Sequence, residues 1–546
     1  MSNGKQNGFI RQAGLLAGAG FISRIIGLLY VSPVTIIIGG VGLGYYSSAY
    51  SYYTIILLIS SYSIPSAISK VIAQKLSLKE YRNAHRIFMC SLYYVLAVGL
   101  IASLFLYACA GFFMDDPAAI PVLRVFAPTI SLYGILGVLR GYFQAHKSMI
   151  QTSVSQILEQ IVNAVVSIVA AYAFVRIAQK AYEQGGADNT AVYGAMGSAL
   201  GTGAGVLAAL LFMFGIYMLN RDYFRKRMYR DQSGKLDSYR EIGGMIAGVV
   251  LPFILSTAAY NLSTALNTKL YTSIMIGYRN VEATLVSERY GIFNGEAVKI
   301  SNIPIAFASA MAAAIIPTIA QAVAAREYED AKEKIYSAVK TIMILSIPSA
   351  VGLFVLAKPV TGLLFPKDNL DYAAGVLMAL SLSVVFYALS TLSNSILQGM
   401  GKVNTPIIHA VIALVAQTVI LVPMLLWTDL DLYALAIAST VYSGVICVLN
   451  QLAVRKALGY RQEVFTTFVV PALASVFMGA AAWGVYEGLY LLTESNIISV
   501  IPAIFVAVLV YFILLILFKG INEEELRGMP KGYLLVRAAK KMRLMR

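Results

Sequence analysis

Apolar runs of about twenty residues or more recur roughly fourteen times along the chain, and a helix needs about that length to cross a hydrocarbon layer ~30 Å thick. The runs fall approximately at 9–38, 44–72, 86–113, 119–143, 151–176, 191–219, 241–266, 291–325, 335–357, 371–398, 404–427, 431–453, 464–489 and 496–518. Hydrocarbon offers no water to unpaired backbone groups, so each run must satisfy its own hydrogen bonds as a helix. Outer-membrane barrels are excluded, because their strands alternate in polarity and are only about ten residues long. Composition agrees: 59% of the 546 residues are hydrophobic and 13% are charged, against about 25% charged in a soluble domain. The expectation is an all-α polytopic membrane protein with about 14 transmembrane helices.

Net charge is +15, from 42 Lys+Arg against 27 Asp+Glu. Such an excess fits either nucleic-acid binding or an orientation signal, and its placement decides. With the N-terminus in the cytoplasm, connections on that side hold Lys75, Lys79, Arg82, Arg86, Arg140 and Lys147, then the run RDYFRKRMYRDQSGKLDSYR at 221–240. Arg326, Lys332, Lys334, Lys340, Lys402, Arg455, Lys456 and Arg461 follow, and the tail adds Lys519, Arg527, Lys531, Arg537, Lys540, Lys541, Arg543 and Arg546. About three quarters of all Lys+Arg fall on this side, while the opposite connections are short and often acidic: Asp115–Asp116, Asp429–Asp431, Glu487 and Glu494. This is the positive-inside pattern. Both termini are therefore expected in the cytoplasm, with a multi-pass chain in the membrane and no nucleic-acid partner. The basic tail is expected to lie on anionic membrane lipid.

The first apolar run carries Arg24 and is too long for a secretory signal peptide. Cys90, Cys109 and Cys447 lie in apolar runs, and His85, His146 and His409 are isolated, so no metal or redox motif forms and no cofactor is expected. A phosphate-binding glycine loop is also missing from the sequence, which speaks against direct ATP hydrolysis.

The chain contains a repeat. Tyr133 and Gln144 bracket YGILGVLRGYFQ, and Tyr387 and Gln398 bracket YALSTLSNSILQ, an offset of 254 from Tyr133 to Tyr387. IPSAISKVIAQ from Ile64 matches IPTIAQAVA from Ile316, an offset of 252. Two anchors that agree this closely indicate a duplicated six-helix unit, and an even number of spans inserts both copies in the same sense. The expected organisation is an N-lobe over 1–222, a basic cytoplasmic loop over 223–240 and a C-lobe over 241–458. Two additional helices over 459–519 and a basic tail over 520–546 complete it.

Four segments carry a family resemblance: FISRIIGLLY, GLGYYSSAYSYYTIILLISSYSIPSAISKVIAQKL, LRGYFQAHKSMIQTSVSQILEQ and ILQGMGKVNTP. Together they resemble the Gram-positive branch of the multidrug/oligosaccharidyl-lipid/polysaccharide exporter superfamily, nearest the MurJ-like lipid II flippases and the stage V sporulation protein B group. The resemblance runs through nearly the whole chain, and fourteen spans match the flippases better than the twelve-span drug exporters. It implies a V-shaped, two-lobed transporter with alternating access, in which the last two helices form a groove for a lipid tail.

Arg24 lies near the middle of the first span, where an arginine costs at least ~2.5–3.5 kcal/mol and should face a cavity or a partner. Its helical face carries Gly20 and Gly27, leaving room for a ligand or another helix. A structural arginine paired with a carboxylate is the competing reading. By resemblance, the arginine of the Ser23-Arg24 motif lines the central cavity and meets the pyrophosphate of a lipid-linked substrate. Lys299, in GEAVKISNIP, falls where many relatives carry a cavity arginine. Glu296 and Asn302 lie three residues to either side on the same face, so an internal Glu–Lys pair is the alternative. Lysine is a point charge where arginine offers a fork. Relatives often have a second arginine where Tyr30 stands here, and a span-2 arginine that TIILLIS lacks, so this cavity is less cationic than theirs.

Glu159, with Gln156 in SQILEQ, has two readings: a proton or sodium relay, or the buried partner of Arg24 or another cation. Tyr45 and Tyr46 are expected in the interfacial belt, and Tyr50 and Tyr53 are candidates for stacking on sugar.

The leading expectation is a flippase, acting as a monomer, that moves a polyprenyl-linked anionic lipid, foremost lipid II, from the inner to the outer leaflet. Coupling would come from membrane potential, Na+ or H+. Alternatives are a flippase for another polyprenyl-linked polysaccharide and a cation-coupled multidrug exporter. An enzyme acting on the same lipid would need a large outward loop with a catalytic group. The longest such loop, 267–290, contains Arg279, Glu282, Glu288 and Arg289 in no recognisable motif, so no enzymatic activity is expected.

Overall fold

The computed structural model describes residues 18–62, 64–146, 148–231, 236–366, 368–402, 404–528 and 532–541. The start of the first span and the basic residues Lys147, Lys235, Lys531, Arg543 and Arg546 lie outside the described residues. All described elements are helical, as hydrocarbon requires. Two compact units emerge, one of residues 1–295 with Leu425–Trp427, the other of Glu296–Met424 with Thr428–Arg546.

The first unit holds α1 (Gly18–Leu29), α2 (Val31–Leu57), α3 (Ile64–Ser77), α4 (Tyr81–Ala108), α5 (Ala110–Phe113), α6 (Ile120–Ala145), α7 (Ile150–Glu183), α8 (Thr190–Leu219), α9 (Arg221–Met228), α10 (Tyr239–Thr272) and α11 (Ala283–Tyr290). α6 is central, packed by α3, α4 and α8. α7 and α8 share the most extensive contact, and glycine explains it. Gly197, Gly201 and Gly205 recur every fourth residue along α8, and a Cβ on any of them would run into α7 at Ala170, Ser167 or Glu159. Without a hydrophobic force between helices in lipid, such close backbone approach supplies the attraction.

Gly39, at φ 71° and ψ 175°, interrupts α2. That conformation is open to glycine alone, and it falls where sequence places the first connection. α1 and α2 meet at 45°. Beyond five residues of wide π-helical turn (Leu58–Tyr62), the chain continues as α3.

The second unit holds α12 (Val298–Ala324), α13 (Tyr328–Val355), α14 (Ala357–Leu364), α15 (Leu370–Gly399), α16 (Asn404–Trp427, less its last turn), α17 (Leu432–Leu458), α18 (Val470–Thr493), α19 (Asn496–Leu517), α20 (Glu523–Gly528) and α21 (Gly532–Lys541). Here α15 is central, packed by α12, α13 and α17. That arrangement repeats α3, α4 and α8 around α6 in the same chain order, so the duplication read from Tyr133/Tyr387 and Ile64/Ile316 is present in the packing. α18 and α19 pair with each other, and α18 rests on α13.

Ten helices among the described residues are long and apolar enough to cross a membrane, and α1 with α2 makes an eleventh if the bent pair is one span. α10 and α12 add 34 and 27 residues of helix. Large apolar side chains such as Leu211, Val419 and Phe505 are exposed along these helices, which a lipid solvent tolerates and water does not.

Several expectations change. The stretch 267–290 is not an open loop: α10 runs to Thr272, π-helical turns continue to Tyr278, and α11 follows. Packing also places α10 and α11 in the first unit, where α10 contacts α2 and α3. Asp115 anchors them, accepting hydrogen bonds from Lys269 Nζ (2.7 Å), Thr272 Oγ1 (2.6 Å) and Ser273 Oγ (3.0 Å). Tyr45 and Tyr46 are buried in the core of the first unit rather than lying in a belt. Arg140 and Lys340, expected in connections, are buried within α6 and α13, because each has a carboxylate to meet there.

Candidate functional site

α1 sets its small face against α7. Ser23 Oγ donates to the Gln156 carbonyl oxygen at 3.4 Å, and one turn on, a Cβ at Gly27 would lie 3.8 Å from Gln160 Oε1. Arg24 is thereby turned out of the α1–α7 contact and is exposed. Among the described residues no hydrogen bond or ion pair engages its guanidinium. Beside it, Gln156 Oε1 is buried with no hydrogen-bond partner among the described residues. The exposed guanidinium of Arg24 can therefore meet an anionic group, while Gln156 Oε1, which only accepts, can meet a donor such as a hydroxyl.

Glu159 is paired with a cation, and that partner is Arg140 rather than Arg24. Arg140 Nη2 lies 2.8 Å from Glu159 Oε2, and Arg140 Nε donates to Ser155 Oγ at 2.9 Å. Both ends of the pair are buried, with side chains 6% and 15% exposed. Sequence reasoning missed this pairing, although RGYFQ and SQILEQ stand on either side of one short connection and so at similar depths.

The two tyrosine candidates diverge. Tyr53 is buried and stacks on Phe126, with ring centroids 4.9 Å apart and planes 22° apart. Tyr50 is 38% exposed and stacks on Tyr46, leaving it the accessible aromatic face of the two.

In the second unit, Glu296 lies in the π-helical turns Gly291–Ala297 that lead into α12, and it is buried. Lys299 follows one turn later and is half-buried; Asn302, a further turn on, is exposed. The three share one helix face, as their spacing predicts. A buried polar network that sequence did not flag joins α15, α16 and α17. Asn450 Nδ2 donates to Ser393 Oγ (3.0 Å) and Asn394 Oδ1 (2.7 Å), and its Oδ1 faces His409 Nδ1 at 2.7 Å. Because Oδ1 only accepts, the histidine proton sits on Nδ1. Asn450 has no exposure, so these bonds satisfy a polar group that would be costly alone.

Comparison with known proteins places this arrangement. The family model of the lipid II flippase MurJ matches residues 81–501. The chain is 24% identical over 490 residues to the lipid II flippase MurJ of Bacillus subtilis (strain 168), covering 84% of this chain and 85% of that protein. It is 22% identical over 538 residues to the stage V sporulation protein B of the same organism, covering 97% and 99%. Among solved structures, a lipid II flippase MurJ in an inward closed conformation aligns with a TM-score of 0.65 at 14% identity, over 92% of this chain and 98% of that one. An inward-facing multidrug resistance MATE family transporter of the MOP superfamily aligns with a TM-score of 0.58 at 18% identity, over 81% and 94%. These last two are likenesses of fold. With its multi-pass helical architecture and the match over residues 81–501, the chain belongs to the MurJ family of lipid II flippases.

Proposed function

We propose that the protein moves a lipid-linked cell-wall precursor, foremost lipid II, from the inner to the outer leaflet of the bacterial cytoplasmic membrane by alternating access. The observation that carries this reading is the match of the lipid II flippase family over residues 81–501. The physical requirements are modest. The polyprenyl tail stays in lipid, while the pyrophosphate and sugars need a wet, cationic path because unpaired polar groups in hydrocarbon cost several kcal/mol each. Arg24, with Ser23 and Gln156 beside it, and Lys299 supply the cationic groups; Glu296, Glu159 and Asn302 are the polar groups near them, and Tyr50 offers an aromatic face to sugar. No covalent step is needed, so the protein acts as a transporter rather than an enzyme, as a monomer, without a cofactor. Both termini face the cytoplasm. An inside-negative potential, Na+ or H+ supplies the drive: moving two negative charges outward across 100 mV releases about 4.6 kcal/mol at about 2.3 kcal/mol per charge.

A second substrate keeps its place. The likeness to stage V sporulation protein B covers more of the chain than that to the Bacillus flippase, which leaves the substrate open between lipid II and another polyprenyl-linked polysaccharide. A cation-coupled multidrug exporter is the weaker reading, since the likeness to such exporters is one of fold. The deciding experiment is native mass spectrometry of the purified protein offered lipid II and undecaprenyl phosphate. Selective retention of lipid II, lost in Arg24→Ala and Lys299→Ala, is expected. Retention indifferent to both substitutions would reject the pyrophosphate assignment.

A further inference from the structure

A recess of about 400 Å3 opens where α17 ends and the chain turns toward α18, lined by Gln451, Leu452, Arg455, Tyr460, Arg461 and Gln462. Its walls are held in place by bonds that leave the arginines out. The Tyr460 hydroxyl donates to Gln462 Oε1 at 2.8 Å, and Gln462 Nε2 donates to the Glu463 carbonyl oxygen at 3.3 Å. Glu463 is the neighbouring carboxylate that would neutralise Arg461, but it is committed elsewhere. It accepts the N–H groups of Thr466 and Thr467 at 3.0 and 3.1 Å, and their hydroxyls at 2.5 and 3.2 Å. Arg455 and Arg461 are both exposed, and among the described residues neither makes an ion pair or a side-chain hydrogen bond. Two uncompensated guanidinium groups over a pocket of this size suit a phosphodiester, which guanidinium forks bind well.

The rim of the recess distinguishes a lipid phosphate from a soluble one. Leu452 is 55% exposed, and just past the recess Val464 and Phe465 are 59% and 63% exposed. They stand where one spanning helix ends and the next begins, at the depth where headgroup gives way to acyl chain. We propose that this recess binds the phosphate headgroup of an anionic phospholipid, with the acyl chains lying along Leu452, Val464 and Phe465. The site is separate from Arg24 and Lys299, and the proposal stands or falls independently of the transported substrate.

The test uses the full-length protein in detergent micelles, with native mass spectrometry comparing retention of phosphatidylglycerol and phosphatidylcholine. Wild type is expected to retain phosphatidylglycerol selectively. The R455Q/R461Q variant is expected to bind it about thirtyfold more weakly, the equivalent of about 1 kcal/mol per basic residue at 1.4 kcal/mol per decade. R221Q/R225Q, in α9, serves as the charge-matched control and should bind as wild type does. F465S, an exposed change outside the recess, should weaken phosphatidylglycerol without affecting the fold. Glycerol phosphate at equal concentration should not displace the lipid. Equal loss in R221Q/R225Q, no loss in R455Q/R461Q, or displacement by glycerol phosphate would each overturn the proposal.

Discussion

The buried pair between α6 and α7 yields the sharpest quantitative expectation. Arg140 and Glu159 have side chains only 6% and 15% exposed, their charged atoms are 2.8 Å apart, and Ser155 supplies a further bond to the guanidinium. Removing one partner strands the other charge, which costs about 3–5 kcal/mol, whereas replacing both with apolar groups of similar volume is neutral or even stabilising. Arg140→Met and Glu159→Leu should therefore each shift the unfolding equilibrium by at least about a hundredfold at 1.4 kcal/mol per decade. R140M/E159L should recover most of that loss. The assay is unfolding in mixed micelles of dodecyl sulfate and a mild detergent, followed by helical circular dichroism, with the four proteins forming a double-mutant cycle. A coupling of about 3 kcal/mol is expected. Single effects that simply add would refute the buried pair. The same variants test the role of Glu159 in transport: as an ion-pair partner it is dispensable once Arg140 is neutral, so R140M/E159L should still move its substrate. A folded but inactive R140M/E159L would make Glu159 part of the transport chemistry.

Two further outcomes follow from local geometry. A Cβ at Gly44 would run into the Ser287 carbonyl, which is backbone and cannot yield, whereas a Cβ at Gly215 in α8 meets nothing within 4 Å. Gly44→Ala should thus destabilise by about 1–3 kcal/mol while Gly215→Ala is neutral or stabilising by up to about 1 kcal/mol, and equal thermal midpoints in detergent for the two variants would contradict the α2–α11 seam. Burial pushes the Glu463 carboxyl up, but hydrogen bonds from Thr466 and Thr467 outweigh it and hold it below the usual range. A carboxyl depressed on folding adds stability that is present above its unfolded value, about 4.3, and is lost as pH falls through the lower folded value. Glu463→Gln should therefore flatten the stability profile of the protein below about pH 4.3, and an unchanged acid limb would refute the cap.

The helical architecture is legible in sequence because the membrane dictates span length, and the duplication because Tyr133/Tyr387 and Ile64/Ile316 keep nearly the same offset. What sequence mistakes are residues near the ends of apolar runs. Arg140 and Lys340 look like loop cations, since a basic residue in the last turns of a span reads the same whether it snorkels outward or meets a buried carboxylate. Tyr45 and Tyr46 look like belt residues because an aromatic at an interface and one in a core share composition. The seam between α2 and α11 had an available signal: Gly40 and Gly44, four residues apart, both face Gly291 just beyond α11, a small-residue pattern known to bring helices together. The partner of Glu159 had a weaker one, since it lies on the preceding helix and only depth along the span connects the two.

Lys340 carries a consequence for how the protein is made. Its ammonium is 5% exposed within α13, and its counter-ion, Glu525 on α20, lies 185 residues further along the chain at 2.7 Å. At about 5–20 residues per second, the ribosome needs roughly ten to forty seconds after making Lys340 before Glu525 exists. During that interval α13 holds a charge whose partner has not been synthesised, so the second unit stays electrostatically incomplete until Glu525 has been made. A ribosome stalled after α19 would leave α12–α19 in place around an unmatched lysine, which makes the docking of α20 on α13 a step that follows their insertion.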